Sequence, residues 1–419
     1  MPVKLSKAVQ RIGLKKLQHQ APVGKIILTA TEDWFILSHF KPLLLALRNL
    51  SKELVVVTRC SGREGEIEAL GARVVSLDFR RKSLNAFEQA RAAFRLSRIF
   101  AREKPEIVHL VALNPIVIGA AAVSLRPVPV VVAHVTGLGY LGTANTVGVR
   151  VARRLSLFLV NRTLQRRIGW VFAENASDLR DLAKFGVRCE SISTILGGAG
   201  IDPDVYRALP PPENPFPVAA SVSRLIHSKG LDVLVAAHDR LAQRGVRMRL
   251  RIFGRHDPGN PEAIAPAVIE EWLARDGVEG GQEVENVRAV WEQADIAVLP
   301  ARAREGMPRA MLEAAACARP LIVTDVPGLR DFVTHGREGL LVPPGDPDAL
   351  ADALEQLANR PNLRIQMGQA ARARILSGFT NAHLITAVER VYRDLAKQLR
   401  GSAGEVDDGT IPEDPGRSR

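Results

Sequence analysis

The sequence has few cysteines, few aromatic residues and no long uninterrupted apolar run. Its 419 residues include only three cysteines, Cys60, Cys189 and Cys317. An odd number of widely separated cysteines excludes a disulfide framework and a Cys/His zinc cluster, and it is typical of a reducing cytoplasm. Hydrophobic residues make up 46% and charged residues 24%, which excludes extensive disorder and fits two or three folded domains.

No stretch of the sequence predicts a membrane span. The longest apolar stretch, from Ile107 to Val135, is interrupted by His109, Asn114, Arg126, Pro127 and Pro129. It predicts a strand, a helix and a strand instead of about 20 consecutive apolar residues. The basic segment 1–24 has no apolar signal core, so we expect either a frayed tail or a basic segment at a membrane surface. Residues 401–419 predict a disordered tail.

The positive charge is concentrated in one half of the chain. The net charge is +12, but residues 1–200 carry 30 Lys and Arg against 14 Asp and Glu (+16), whereas residues 201–419 carry 27 against 31 (−4). This asymmetry predicts an anionic partner for the first half. Aromatic residues are only 5% and no recognition motif is present, so we expect that partner not to be a nucleic acid.

Short apolar runs alternate with helical patterns, and the alternation restarts after the proline-rich break at 209–217. It predicts an α/β protein with two doubly wound parallel sheets, in domains 25–200 and 201–375, which face each other across a cleft. We expect a C-terminal helix at 376–400 to pack back on the first domain. The predicted strands are 25–30, 54–58, 73–77, 107–110 and 128–133, then 218–222, 249–253, 296–299 and 321–323.

The densest functional signal is the segment 300–315, PARAREGMPRAMLEAA. A strand ends, a loop carries Glu305 and Gly306, and a helix begins near Pro308, so the N–H groups of Gly306 and Met307 are expected to point into the cleft. Glu313 follows on that helix. Two carboxylates that reach one ligand suit sugar and ribose hydroxyls; alternatively, they are a charge at the helix start and a solvated helix residue.

A second signal, SRLIHSKGLD at 223–232, follows the first strand of the second half. Arg224 and Lys229 place two cations on one turn, which suits the diphosphate of a leaving nucleotide. The alternative is a solvated loop in which Ser228 begins a helix.

These segments resemble the family-4 retaining glycosyltransferases, which have the GT-B fold of two facing Rossmann-like domains. The resemblance covers nearly all of residues 218–356, including GREGLLVPPGDPDALADAL. TEDWFILSH at 31–39 and HVTGLGYLGT at 134–143 are similar to bacterial enzymes that extend surface polysaccharide or lipid-linked oligosaccharide. ILGGAGID at 195–202 resembles the family's segment at the domain junction.

The resemblance implies a role for each matching residue. Arg224 and Lys229 would hold the donor diphosphate, and Glu313 would accept hydrogen bonds from the ribose. Glu305 and the amides of Gly306 and Met307, with Pro308 beside them, would bind the transferred sugar. The resemblance further implies that His134, at a strand end beside Gly137, faces the donor sugar; the alternative is a structural histidine.

The implied reaction is a front-face, retaining transfer of a hexose or N-acetylhexosamine from a nucleotide sugar, with UDP as the expected nucleotide, to a polyprenyl-diphosphate-linked or other surface-polysaccharide acceptor. We expect no metal or other cofactor, because Arg224 and Lys229 replace it and the Asp-x-Asp sequence at 202–204 lies at the domain junction and not at a strand end. Acceptor candidates are Glu32, Asp33, His39 and Gly137, with Asp33 alternatively an N-cap.

An Arg-rich helical segment suggests a peripheral location at the inner face of the cytoplasmic membrane. Its arginines lie among apolar residues, so it forms either a membrane-facing surface or an ordinary solvated helix face. They are Arg153, Arg154, Arg162, Arg166 and Arg167. Other functions compatible with these motifs are a GT-B epimerase or phosphorylase, and a non-catalytic subunit of a polysaccharide assembly complex.

Overall fold

The computed structural model describes residues 21–79, 86–137 and 147–404. Most of the basic N-terminal segment and the tail from residue 405 lie outside the described residues, as do residues 138–146 of the glycine-containing loop.

The first sheet has seven strands in the order β3-β2-β1-β4-β5-β6-β7, and all of its neighbouring pairs are parallel. The strands are β1 (Val23–Glu32), β2 (Ser51–Arg59), β3 (Arg73–Ser76), β4 (Ile107–Val111), β5 (Val130–Val135), β6 (Ile168–Ala173) and β7 (Ser193–Ile195). Parallel strands need crossover helices, which cover both faces of the sheet. The helices are α1 (Asp33–His39), α2 (Lys41–Leu50), α3 (Glu64–Ala69), α4 (Ala86–Glu103), α5 (Leu113–Leu125), α6 (Val147–Arg166) and α7 (Ala176–Lys184). We call this part the first domain.

The second sheet has six parallel strands in the order β10-β9-β8-β11-β12-β13. Its strands are β8 (Val218–Val222), β9 (Arg249–Phe253), β10 (Val278–Gly280), β11 (Ile296–Leu299), β12 (Leu321–Thr324) and β13 (Gly339–Val342). Its helices are α8 (Leu231–Gln243), α9 (Pro266–Leu273), α10 (Val287–Gln293), α11 (Arg309–Ala316), α12 (Leu329–Phe332), α13 (Pro347–Ala358) and α14 (Pro361–Gly378). We call this part the second domain.

The chain passes between the domains twice, and the two passages lie side by side. Ile201 forms a parallel bridge with Thr380: its N–H donates to the carbonyl of Phe379 and its carbonyl accepts from the N–H of Asn381. The last helix, α15 (Asn381–Gly404), then packs against α2. Its residues Leu384, Val388, Val391 and Leu395 recur at helical spacing and are buried with the first domain, so the C-terminal helix closes that domain's core.

The prediction of two doubly wound parallel halves is confirmed. The predicted strands all exist, although β5 runs two residues later than expected. Four strands were missed: β6, β7, β10 and β13. Three of these are only three or four residues long, too short to show a period in the sequence. The last helix begins at Asn381, later than the expected 376, and it extends to Gly404, into the segment expected to be disordered.

Candidate active site

The loop between β11 and α11 carries Glu305, Gly306 and Met307 to the edge of the second sheet that faces the first domain. The N–H of Glu305 donates to the carbonyl of Pro327 at 3.0 Å, and this hydrogen bond fixes the loop to the segment that follows β12. Gly328 has a φ of +88°, and a Cβ there would lie 2.0 Å from the carbonyl oxygen of Gly306, so only glycine allows this approach. The helix begins at Arg309, one residue after Pro308.

Lys229 and Glu305 meet in the cleft. Lys229 Nζ lies 2.6 Å from Glu305 Oε1, and both side chains are mostly buried, with 16% and 19% exposed. Lys229 ends a short 3₁₀ turn, His227–Lys229, and is followed by Gly230, which has a φ of +68°. A Cβ on Gly230 would lie 2.0 Å from the carbonyl oxygen of Pro300. The glycine therefore lets the Lys229 turn reach the Glu305 loop.

Arg224 lies on the same connection, where β8 ends, and its side chain is 40% exposed. Its Nη1 is 3.5 Å from Asp257 Oδ2. This ion pair is weak, because water and salt screen the attraction between exposed charges. Two cations thus follow the end of β8. Lys229 is held closely by Glu305, whereas Arg224 is only loosely paired and is exposed enough to meet an incoming anion.

Glu313 is buried, with 5% exposed, and it already has two partners. Its Oε1 accepts hydrogen bonds from the Tyr206 hydroxyl at 2.8 Å and from Arg309 Nε at 2.7 Å. Arg309 also donates to the carbonyl of Ser38 in α1, so this group spans the cleft. A ligand hydroxyl can reach Glu313 only beside these two donors.

The peptide that joins Gly306 to Met307 is bound by two residues of the first domain. The N–H of Met307 donates to Glu174 Oε2 at 2.8 Å, and the carbonyl of Gly306 accepts from Asn175 Nδ2 at 3.1 Å. Glu174 is buried, which raises its pKa to about 8 although the Met307 N–H opposes the shift. Glu174 and Asn175 were not predicted from the sequence. Both directly follow β6, whose apolar run was not recognised as a strand, and a polar pair at that strand's carboxyl end is the signal that would have found them.

A second contact missed from the sequence joins the same loop to α7. Arg304 is 10% exposed, and it donates to Asp178 at 3.0 Å and to Asp181 at 2.5 Å. Burial raises the pKa of Asp178 to about 6 against the opposing effect of Arg304. This ion pair and the Glu174 contact hold the loop of the second domain against the first.

His134 is not at the cleft surface. It lies near the end of β5, as predicted, but its side chain has no exposed area and packs against Phe40, His109 and Phe172. Strand alternation places it on the same face as the core residues Val130 and Val132. We expected His134 to face the donor sugar, but in this structure its side chain is buried in the core of the first domain. Burial lowers the pKa of His134 to about 3.

The acceptor candidates fall into two groups. Asp33 begins α1, after the N-cap residue Glu32, and its carboxylate accepts from the backbone N–H groups of Trp34, Ser61 and Arg63 and from the Ser61 hydroxyl. Burial opposes but does not overcome these hydrogen bonds, so the pKa of Asp33 is lowered. Its carboxylate thus holds the turn after β2 in place.

The remaining candidates are Glu32, His39 and Gly137. Glu32 is 7% exposed and lies 3.7 Å from Arg59. His39 Nδ1 is 2.7 Å from the Ser38 hydroxyl, beside the Arg309 contact. Gly137 has a φ of +103°, and a Cβ there would lie 3.4 Å from the Gly306 nitrogen. Of the four candidates, Gly137 thus lies against the loop that carries Glu305, and His39 is next to the residue that Arg309 contacts across the cleft.

Within the described part of the chain, no group of three His, Cys, Asp or Glu residues could hold a metal ion. Asp202 Oδ1 accepts from the N–H groups of Asp204 at 3.0 Å and Val205 at 3.4 Å, so it caps a turn at the domain junction. The described helices also include none long and apolar enough to cross a membrane.

Comparisons with known proteins agree with this arrangement. Residues 25–166 match the family model described as Glycosyl transferase 4-like, and residues 216–360 match the model described as Glycosyl transferases group 1. Each of the two domains thus matches a glycosyl transferase domain model. The model matched by residues 25–166 covers most of the first domain, and the model matched by residues 216–360 covers Lys229, Glu305 and Glu313.

Individual relatives are similar over one part of the chain. A putative colanic acid biosynthesis glycosyltransferase, WcaL of Salmonella typhimurium, is 32% identical over 184 residues, which are 42% of this chain and 44% of that protein. The chain therefore matches less than half the length of this curated relative.

Solved structures are similar over nearly the whole chain. Sucrose-phosphate synthase from Thermosynechococcus elongatus has a TM-score of 0.73 at 18% identity, over 90% of this chain and 100% of that one. Anabaena Alr3699/HepE, solved in complex with UDP and glucose, has a TM-score of 0.69 at 16% identity, over 91% and 100%. At these identities the likeness shows the fold, and it confirms the GT-B prediction.

Proposed function

We propose that the protein is a retaining glycosyltransferase that moves a hexose or N-acetylhexosamine from a UDP-sugar to a polyprenyl-diphosphate-linked or other surface-polysaccharide acceptor. The observation that carries this proposal is the contact of Lys229 with Glu305 in the cleft, beside the exposed Arg224. A donor diphosphate bound at the two cations would place its sugar next to Glu305 and Gly306. The relative named for colanic acid biosynthesis and the neighbour solved with UDP and glucose support the substrate class.

The cleft supplies the electrostatic part of such a reaction. The cations Arg224 and Lys229 would stabilise the charge that builds up on the leaving diphosphate, while Glu305 and the Gly306 amide would position the sugar hydroxyls. In a front-face transfer the departing phosphate oxygen accepts the proton of the acceptor hydroxyl, so the protein need not provide a nucleophile. We propose that this set of residues works without a metal ion.

The test is a binding and turnover assay with defined donors. Thermal-shift measurements with UDP-glucose, UDP-galactose and their N-acetylamino forms should find a stabilising donor, and product analysis should detect transfer only when a saccharide acceptor is added. Conversion of the donor alone would indicate an epimerase, and binding without any product would indicate a non-catalytic subunit. Activity that survives EDTA treatment supports transfer without a metal, whereas its loss and recovery with Mg²⁺ would contradict it.

We further propose that the first domain rests on an anionic membrane surface. Along α6, Val147, Val151, Leu155 and Phe158 recur at helical spacing and are 54–68% exposed. The exposed arginines Arg150, Arg154, Arg162 and Arg166 lie on the same helix. An exposed apolar stripe flanked by arginines matches a bilayer whose surface is negative. Not every predicted arginine belongs to it, because Arg153 lies over the Phe185 ring at 4.4 Å.

Vesicle flotation tests the membrane surface. The protein should float with phosphatidylglycerol vesicles at low salt, and the double variant Leu155→Ser, Phe158→Ser should lose this binding. Ile365→Ser, Leu376→Ser is the matched control, because both residues are exposed in the second domain. Equal flotation of the two double variants, or no flotation of the wild type, would contradict the proposal.

A further inference from the structure

One peptide unit of the second domain is held at both ends by two consecutive residues of the first. Asn175 Nδ2 donates to the carbonyl of Gly306 at 3.1 Å, and the N–H of the next residue, Met307, donates to Glu174 Oε2 at 2.8 Å. A rotation of this peptide would break both hydrogen bonds. The two side chains together therefore fix its orientation, which neither would do alone.

The contact is too close for any residue but glycine at position 306. A Cβ there would lie 2.4 Å from Glu174 Oε2 and 2.7 Å from the carbonyl oxygen of Thr136. Glu174 is 6% exposed and Asn175 is 1% exposed. The two side chains are thus enclosed where the domains meet, and water can reach them only if the cleft opens.

The amides of Gly306 and Met307 consequently have different uses. The Met307 N–H is taken by Glu174, but no hydrogen bond among the described residues uses the N–H of Gly306. That nitrogen would be 3.4 Å from a Cβ on Gly137, across the cleft. Of the two, the Gly306 amide is the one left for a ligand.

We propose that Glu174 and Asn175 are positioning residues of the donor site. By holding the Gly306–Met307 peptide they anchor the loop at Gly306, so that the Gly306 N–H in the preceding peptide unit and the Glu305 carboxylate meet the transferred sugar when the two domains are together. This inference rests on the proposed function, and it adds a requirement: sugar recognition by the second domain depends on two side chains of the first.

The Glu174 carboxyl gives the arrangement a pH dependence. In the enclosed site its pKa is about 8, raised by burial and by the neighbouring Asp178 of α7 and Glu305 of the facing loop, against the usual 4.5. Opening the cleft would expose Glu174 to water and return its pKa toward 4.5. Between about pH 4.5 and about pH 8, closure of the cleft therefore requires Glu174 to bind a proton. The closed arrangement becomes less favourable as the pH rises through this range.

Calorimetric titration of the full chain with UDP and with the UDP-sugars named above tests the inference. Glu174→Ala and Asn175→Ala should each weaken UDP-sugar binding about three- to tenfold, the value of one hydrogen bond, while UDP, which lacks the sugar, should bind them like the wild type. Glu174→Gln keeps an acceptor oxygen and should bind normally at pH 6. Glu190→Ala, an exposed glutamate of the first domain, is the control.

The pH series separates positioning from simple packing. From pH 6 to pH 8 the wild type should lose sugar-dependent affinity, and Glu174→Gln should lose less because it has no proton to take up. Folded alanine variants that bind UDP-sugar like the wild type would overturn the inference, and so would identical pH profiles of the wild type and Glu174→Gln.

Hydrogen exchange without any nucleotide keeps the inference separate from the proposed function. The Met307 amide should exchange faster in Glu174→Ala than in the wild type or Glu190→Ala, and an unchanged rate would overturn the inference. A wild type that binds none of the UDP-sugars would contradict the proposed donor instead, while the exchange result would still decide whether Glu174 holds this peptide.

Discussion

Lys229 Nζ and Glu305 Oε1 lie 2.6 Å apart, although 75 residues separate them in the chain. Each belongs to a loop that follows a neighbouring strand of the second sheet, β8 and β11, so the sheet order brings them together. The carboxylate holds the lysine in the cleft. In the proposed function this is where the donor diphosphate would meet the cation without a further rearrangement of its side chain.

Removing the charge of Lys229 should reduce transfer strongly without unfolding the protein. Lys229→Met keeps most of the side-chain volume but removes the cation, and we expect kcat to fall roughly 100- to 1,000-fold, the usual effect of losing one group that stabilises developing charge. Steady-state kinetics with a saturating UDP-sugar measure it. Arg302→Met is the control, because Arg302 pairs with Asp232 on the same face and is exposed. Equal losses in both variants would argue against a specific role for Lys229.

The turn that carries Lys229 should be intolerant of any side chain at Gly230. Gly230→Ala adds a Cβ 2.0 Å from the Pro300 carbonyl at a φ of +68°, so we expect a loss of about 2–4 kcal/mol in the free energy of unfolding, from clash and backbone strain together. Gly245→Ala isolates the strain, since Gly245 has a φ of +76° but no atom within 4 Å of the added Cβ. Urea unfolding should show the smaller loss there. Matching losses would mean that the contact with Pro300 is not tight.

The sequence predicted the fold and the second-domain half of the site better than the first-domain half. Lys229, Glu305 and Glu313 lie in two contiguous segments that each follow a short apolar strand, so these segments were recognisable. Glu174 and Arg304 act through contacts across the cleft, with partners 133 and 126 residues away, and no local pattern encodes such a distance. His134 was predicted on the correct strand, but its side chain is buried in the first domain and does not face the cleft. The two neighbouring strands have few polar residues, so their sequences do not show whether a side chain near a strand end is buried or exposed.

The buried Arg304–Asp178 pair should be worth more than an exposed pair across the same cleft. Arg304→Met leaves the Asp178 carboxylate enclosed without its cation, and we expect a loss of about 3–5 kcal/mol in the free energy of unfolding at pH 8. The loss should shrink at pH 5, below the Asp178 pKa of about 6, since a protonated carboxyl needs no counter-ion.

The control for this pair is Arg180→Met, which removes a 61% exposed arginine that lies 3.5 Å from Asp331 of the second domain. Its loss should stay below about 1 kcal/mol. Urea unfolding of both variants at pH 5 and pH 8 provides the comparison. A pH-independent loss in Arg304→Met would show that Asp178 does not depend on this arginine for its charge.

The buried histidines should make the protein sensitive to acid. His109 Nδ1 lies 2.7 Å from the Tyr392 hydroxyl and its Nε2 lies 3.2 Å from His134 Nδ1, in an enclosed row that connects α15 to the end of β5. Burial lowers the pKa of His134 to about 3, and burial together with the neighbouring His134 lowers that of His109. Unfolding releases both rings to their ordinary pKa of 6.5, so the unfolded state binds more protons and stability falls as the pH drops from 6.5 toward 3.

His134→Phe should remove one part of this dependence. Between pH 6.5 and pH 5 the wild type should lose about 2 kcal/mol more than the variant, at about 1.4 kcal/mol per pH unit for one histidine. The variant His256→Gln is the control and should follow the wild type, because this histidine is exposed and belongs to no buried row. Urea unfolding at a series of pH values measures all three. Parallel curves for the wild type and His134→Phe would mean that His134 is already open to protonation in the folded protein, as it would be if it faced the cleft.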